Sequence, residues 1–230
     1  MMAVNAMYCE DAANELYDKL DNYYDKFNII NNRFDVISTR FTSNTYLELY
    51  RYKHQKGIEN QSIYGVKTKI GQNINIHKYL FVLEMNNTIN KIVGIGMIKN
   101  LKSKNQDIQI YNDSSLNNHI YTSSFHIQLI DPTCINNYTK SSLTRNKVPD
   151  IYCENIPPEF IDLMEDEIIP NCFFGKGHIK RGGGFTRYPL KFQKPSILKK
   201  LIKLFIILNP NNFNKLVKKR LLKEKEEKED

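Results

Sequence analysis

The chain reads as an α+β protein: a small mixed or antiparallel β-barrel or sheet, flanking helices, and a basic helical C-terminal extension. Three observations predict this. Two β-branched and aromatic runs, Tyr79 to Met85 and Lys91 to Ile98, flank a polar turn, the signature of an antiparallel hairpin. Helical periodicities with start and stop signals lie on either side of it. From Ile168 to Lys223 there is no Asp or Glu, while the same stretch carries fourteen Lys and Arg.

The 230 residues suit one ordinary domain with an appendage, or two small domains. Twelve Phe and fourteen Tyr, with many Ile and Leu, can fill a core without disulfides or metal. The abundance of Asn, Ile, Lys and Tyr and the absence of Trp match the bias of AT-rich codons. The four cysteines, Cys9, Cys134, Cys153 and Cys172, form no CxxC pair, so neither a structural zinc site nor any other metal centre is expected. No secretory signal is visible at the start. Free thiols in a reducing cytoplasm or nucleus are the simple expectation, as is the absence of a transmembrane span.

Elements follow in order. Residues 8–30 carry Leu16, Leu20, Tyr23, Tyr24 and Phe27 at helical spacing and predict an acidic amphipathic helix. Asp35 to Thr39 predicts a short strand. Thr42 to Gln55 predicts a helix capped by Thr42 or Ser43 and stopped by Gly57, with Leu47, Tyr50 and His54 on one face. His54 reads as a boundary residue rather than a ligand. Ile63 to Val66 is extended. In the hairpin, Gly94 and Gly96 fall on one face of the second strand. Glycine weakens a strand, so the pair marks a close approach by another backbone or a ligand. Tyr64, Gly94 and Gly96 are the expected pocket residues. Asp107 to Tyr111 is a candidate strand and His119 to Ile130 a further one, ending at Asp131-Pro132. Residues 133–150 read as loop. Glu159 to Ile168 predicts a short acidic helix with Pro158 near its first position and Pro170 as its end.

Phe173 to Pro189 (FFGKGHIKRGGGFTRYP) holds five glycines, His178 and four cations. Glycines let successive backbone N–H groups converge on an anion. The expected nucleic-acid contacts are Lys176, His178, Lys180, Arg181, Gly182, Gly183, Gly184, Phe185, Arg187 and Tyr188. The cations would grip phosphates, and Phe185 and Tyr188 would stack on bases. A Gly-rich connector packed on the core is the alternative, and catalysis through His178 a third. The stretch is neither a Walker loop nor a Rossmann fingerprint. No catalytic residue and no cofactor is assigned.

Ser196 to Leu208 predicts a helix of about 20 Å, too short for a bilayer core of about 30 Å. Lys199, Lys200 and Lys203 share one side of it, so it packs in a core or lies on an anionic membrane surface. Asn209-Pro210 breaks the chain, and Phe213 to Leu222 predicts a second basic helix. Residues 1–190 carry 21 basic and 20 acidic side chains (+1), residues 191–230 carry 12 and 5 (+7), which sums to the overall +8. So dense a run of cations calls for phosphates or lipid headgroups. The expected division is 1–33, an acidic helix; 34–170, the core; 171–195, the Gly-rich loop; and 196–230, the basic extension.

Ile63-Tyr64-Gly65-Val66, Phe81-Val82-Leu83-Glu84 and Gly94-Ile95-Gly96-Met97, in the order strand, helix, extended segment, hairpin, strand, resemble the PUA-like superfamily of PUA, ASCH, EVE and YTH domains. That resemblance covers about 100 residues and implies a small barrel that binds RNA or modified bases without catalysis. The aromatic cage it implies has no Trp here, leaving Tyr50, Tyr64 or Tyr79 as stand-ins. HIKRGGGFT is also similar to proteins of large DNA viruses. Lys91 to Ile98 is similar to the strand before the acetyl-CoA site of GNAT acetyltransferases, which implies an enzyme as an alternative. Its pyrophosphate loop is nearest at Arg181 to Thr186, which leads into Tyr188-Pro189 rather than a helix. A peripheral membrane or scaffold protein anchored by Ser196 to Leu208 is the other alternative.

Overall fold

The computed structural model describes residues 33–71, 74, 76, 78–101, 103, 108–137, 151–174, 179, 184–189 and 195–208. The chain divides into two compact units, and Arg33–Lys194 is one of them. Within that unit lie β1 (Phe34–Phe41), α1 (Ser43–Lys56), β2 (Ser62–Val66), β3 (Tyr79–Asn86), β4 (Lys91–Lys99), β5 (His119–Ser123) and β6 (Phe125–Gln128). A helical run follows, made of α2 (Pro158–Asp162), a π-helical segment (Leu163–Ile168) and α3 (Ile169–Phe173). The last strand is the two-residue β7 (Thr186–Arg187).

The expected α+β class holds, but the strands do not close into a barrel. They form a five-stranded mixed sheet, β6-β4-β3-β1-β7, and a separate pair, β2-β5. Only β1 and β3 run parallel in the larger sheet. Every residue of β3, and all of β1 but one, is buried. The sheet is therefore covered on both faces, which explains its unbroken apolar runs.

α1 follows its local signals. Thr42 and Thr45 form a reciprocal capping box, and Gly57 ends the helix at φ 63°. Its buried side is not the face shared by Leu47, Tyr50 and His54. Tyr46, Leu49 and Lys53 are buried, while His54 is exposed and stacks on Tyr50 from outside. The reason is that a lysine interrupts the inward stripe and disguises it.

Three other expectations need correction. Residues 108–111 are not a strand; Asn117 instead bonds the backbone of Ile110 and Tyr111. His119 to Ile130 is two strands rather than one. β5 pairs with β2 and β6 with β4, so the chain changes sheets at Ser124. Pro170 does not end the helix. The turn before it widens to π geometry, so the chain continues to Phe173 with Pro170 in the first turn of α3. Cys172 is buried, and Cys134 and Cys153 are partly exposed, all as free thiols.

In the other unit, α4 (Pro195–Leu208) forms where expected, and Ile197, Leu198, Leu201, Ile202, Leu204, Phe205 and Ile206 are buried. No described helix is long and apolar enough to cross a membrane. The predicted helices at residues 8–30 and 213–222 lie outside the described residues.

Gly94 and Gly96 do mark a close approach, but by side chains rather than by a backbone or ligand. A Cβ at Gly96 would overlap the Tyr64 hydroxyl and Ser62 Oγ, and one at Gly94 would overlap the Glu84 carboxylate. Gly57 has open space around its missing Cβ and only the cost of its left-handed backbone. Gly96→Ala is therefore expected to lose about 1–3 kcal/mol or more by overpacking, and Gly57→Ala about 1–2 kcal/mol from its left-handed backbone. Urea denaturation of both variants checks the order.

Candidate functional site

The sheet register builds a polar cluster from residues far apart in sequence. Across the sheet, Thr39, Glu84, Gly94 and Gln128 form one row, and Ile37, Val82, Gly96 and His126 the next. Glu84 on β3 and His126 on β6 are separated by β4. Adjacent strands are about 4.8 Å apart, so their backbones stand roughly 10 Å from one another. With glycine at both intervening positions, nothing blocks them, and their side chains meet over β4.

The cluster is deeply buried. Glu84 is 1% exposed and His126 5%. Glu84 Oε1 accepts a hydrogen bond from the Tyr64 hydroxyl at 2.7 Å and lies 3.0 Å from His126 Nε2. Ser62 Oγ lies 3.5 Å from the Tyr64 hydroxyl and donates to the carbonyl of Phe125. Gln128 Nε2 donates to the carbonyls of Val93 (2.8 Å) and Ile130 (2.7 Å) and touches the Tyr46 hydroxyl. Glu84 Oε2 is buried and has no hydrogen-bond partner among the described residues.

Lys53 reaches the same region from α1. It is 5% exposed, and among the described residues nothing hydrogen-bonds its ammonium. Burial pushes its pKa down to about 8, against the pull of Glu84 and Glu59.

Burial disfavours the charge on Glu84. It is outweighed by His126, by Lys53 and by the hydrogen bond from Tyr64, so the carboxyl stays below its ordinary range. Burial likewise lowers His126, against the pull of Glu84. His126 Nε2, 3.0 Å from the carboxylate, is placed to donate to it. The Tyr64 hydroxyl is raised by burial and by Glu84, so it remains a donor.

A second assembly sits at the β1 edge. Arg40 Nε donates to the carbonyl of Ile179 at 2.6 Å, its Nη1 reaches the Gly184 carbonyl at 3.5 Å, and its Nη2 bonds Thr186 Oγ1. One guanidinium thus ties Ile179, Gly184 and Thr186 to β1. Gly184 has φ 71°, a left-handed conformation that favours glycine. Phe185 packs edge-on against Tyr64 (5.9 Å) and Tyr121 (5.4 Å).

Of the expected nucleic-acid contacts, Lys176, His178, Lys180, Arg181, Gly182 and Gly183 lie outside the described residues. Arg187 does not stand free for a phosphate. It forks onto the buried Asp35, with Nη2 at 2.7 Å from Oδ2 and Nε at 3.4 Å from Oδ1. Tyr188 is 0% exposed, and its backbone N–H bonds the Val36 carbonyl. A buried ring cannot stack on a base, so its role is packing. Phe185 is likewise engaged by two tyrosines. The pocket residues Tyr64, Gly94 and Gly96 are brought together, with the tyrosine hydroxyl occupying the space that the glycine leaves.

Glu84, His126 and Lys53 were not anticipated. One signal was present: Glu84 is the single charged residue in YLFVLEM, facing a glycine-spaced partner strand. Among the described residues no His, Cys, Asp and Glu group could hold a metal. Compared with known protein families, curated proteins and solved structures, the chain matches none.

Glu84→Ala strands the Tyr64 and His126 donors in a dry site. The expected loss is about 3–5 kcal/mol, measured by denaturation at pH 7. Lys53 has the opposite sign. Its folded pKa of about 8 lies below the ordinary 10.5, so the unfolded chain binds more protons between those values. Stability should therefore climb from pH 8 to 10.5, by up to about 3 kcal/mol. Lys53→Met should remove that climb, as denaturation across that pH range can read.

Proposed function

We propose that this chain is a non-catalytic module that binds single-stranded nucleic acid, RNA being the form its PUA-like resemblance implies. The observation that supports this most is the Arg40 clamp. It draws Ile179, Gly184 and Thr186 to one edge of the sheet. The segment between, Lys180 to Gly183, contributes two cations and two glycines of an acid-free run of fourteen cations. A short loop held at both ends loses less freedom when it closes on a phosphate. Phe185, on the C-terminal side of the loop, leads directly to Tyr64 and hence to the Glu84 cluster. Phosphate grip and a polar side-chain cluster are thus joined in one stretch of chain. The three residues withdrawn by packing, Phe185, Arg187 and Tyr188, serve to seat this loop.

The alternatives draw less support. A GNAT-type pyrophosphate loop must open a helix, whereas Thr186–Arg187 enters β7. Shallow membrane insertion needs an exposed apolar helix face, and in α4 most of the apolar side chains, Ile197 to Ile206, are buried.

The test is fluorescence anisotropy of a labelled single-stranded RNA and its DNA counterpart with the full chain across a salt series. If about six phosphates are neutralised, the slope of log affinity against log salt is near −4 to −5. Lys180→Gln with Arg181→Gln should make that slope shallower by about 1 to 2. A slope near zero in the full chain overturns the reading.

A further inference from the structure

Resting on the nucleic-acid reading, we infer that the exposed ring of Phe174 is a stacking platform for an unpaired nucleobase. Phe185 and Tyr188, the aromatics expected to stack, are taken up by packing. Phe174 is not. It is 55% exposed, the one exposed phenylalanine among the described residues, while its neighbour Phe173 is 4% exposed. A single apolar side chain in water is ordinary. What sets Phe174 apart is how firmly its backbone is held. Its N–H donates to the Pro170 carbonyl at 3.1 Å, at the end of α3. Its own backbone is then extended, with φ −129° and ψ 161°, and leads the chain out of the helix. Further on, Ile179 N–H donates back to the Cys172 carbonyl at 3.1 Å, and Arg40 holds the Ile179 carbonyl. The chain is thus fixed on both sides of the ring.

The surroundings leave room for a flat guest. The Phe173 ring lies 6.4 Å away between centroids and is tilted by 52°, so it flanks Phe174 without stacking on it. The next residue in the sequence, Gly175, has no side chain with which to cover the ring. Charge selects the guest. Phe174 belongs to the acid-free run from Ile168 to Lys223, and Lys176 follows two residues later, a reach of about 7 Å along the chain at most. An aromatic ring beside cations is the pairing by which single strands are held, with bases on the rings and phosphates on the cations. Every base has such a face, so the platform accepts any sequence. Preorganisation adds to the fit, because a ring on a fixed backbone loses less freedom when it is covered.

Anisotropy of a labelled single-stranded RNA with the full chain compares the parent with Phe174→Ala and Phe174→Tyr across a salt series. Phe174→Ala should weaken binding about 5- to 150-fold, the worth of one stacked base. Phe174→Tyr keeps the ring and should bind as the parent does. The salt slope should be the same in every variant, because no charge is removed. A side chain more than half exposed can be exchanged without unfolding the core. The chain has no Trp, so the indole introduced by Phe174→Trp is a single fluorescent reporter. RNA should quench its emission, and a strand of abasic sites of equal length should not. If the parent binds RNA and Phe174→Ala binds it equally well, the inference falls while the broader reading stands. Quenching by the abasic strand as strong as by RNA also overturns it, since no base is then needed. A parent that binds no RNA removes both.

Discussion

Two missing side chains determine how this sheet is used. At Gly94 and Gly96 the strand β4 has no bulk, and that vacancy lets Glu84 and His126 meet from strands that are not neighbours. Every polar partner in the cluster depends on it. Tyr64 reaches the carboxylate because its hydroxyl occupies the space over Gly96, and Ser62 follows from the same strand. In a sheet buried on both faces, a carboxylate needs such an arrangement to remain charged. Among the described residues Glu84 has it for one oxygen and lacks it for the other.

The Gly-rich segment connects to this cluster through packing. Arg40 points away from the Glu84 row, as alternation along β1 requires, and gathers the carbonyls that flank residues 180–183. Asp35 takes Arg187 in the same strand. β1 thus holds the segment twice, by a cation reaching out and by a carboxylate receiving one. Phe185 then closes the distance to Tyr64. The Glu84 cluster and the residues Ile179 and Gly184 to Arg187 are thus tied to the same sheet.

What the sequence made legible was local. The hairpin, the Thr42 capping box, the Gly57 stop and the α4 boundaries all rest on neighbours a few residues apart, and each appears within one or two residues of its expected place. What stayed hidden was long-range or required two signals to be weighed together. The Glu84–His126 contact spans 42 residues and depends on a strand order that no local pattern reveals. His119 to Ile130 alternates well enough for one strand, and only its two different partners divide it. Pro170 looked like a stop because an ordinary helix would end there, and the π turn removes the conflict. Lys53 was passed over because a lysine on an inward stripe contradicts the apolar pattern. Arg187 and Tyr188 looked available for ligand because their burial depends on Asp35 and β1, about 150 residues earlier.

The most direct test of the account follows the His126 ring by nitrogen NMR while single-stranded RNA is added to the full chain. His126 shares Glu84 Oε1 with Tyr64, which Phe185 touches, so it senses a shift passed on from Phe185. The account predicts that its ring signals shift and saturate with the affinity that anisotropy gives for the same RNA. Tight RNA binding that leaves those signals unmoved would contradict it, by separating the basic loop from the Glu84 cluster and making that cluster a structural element alone.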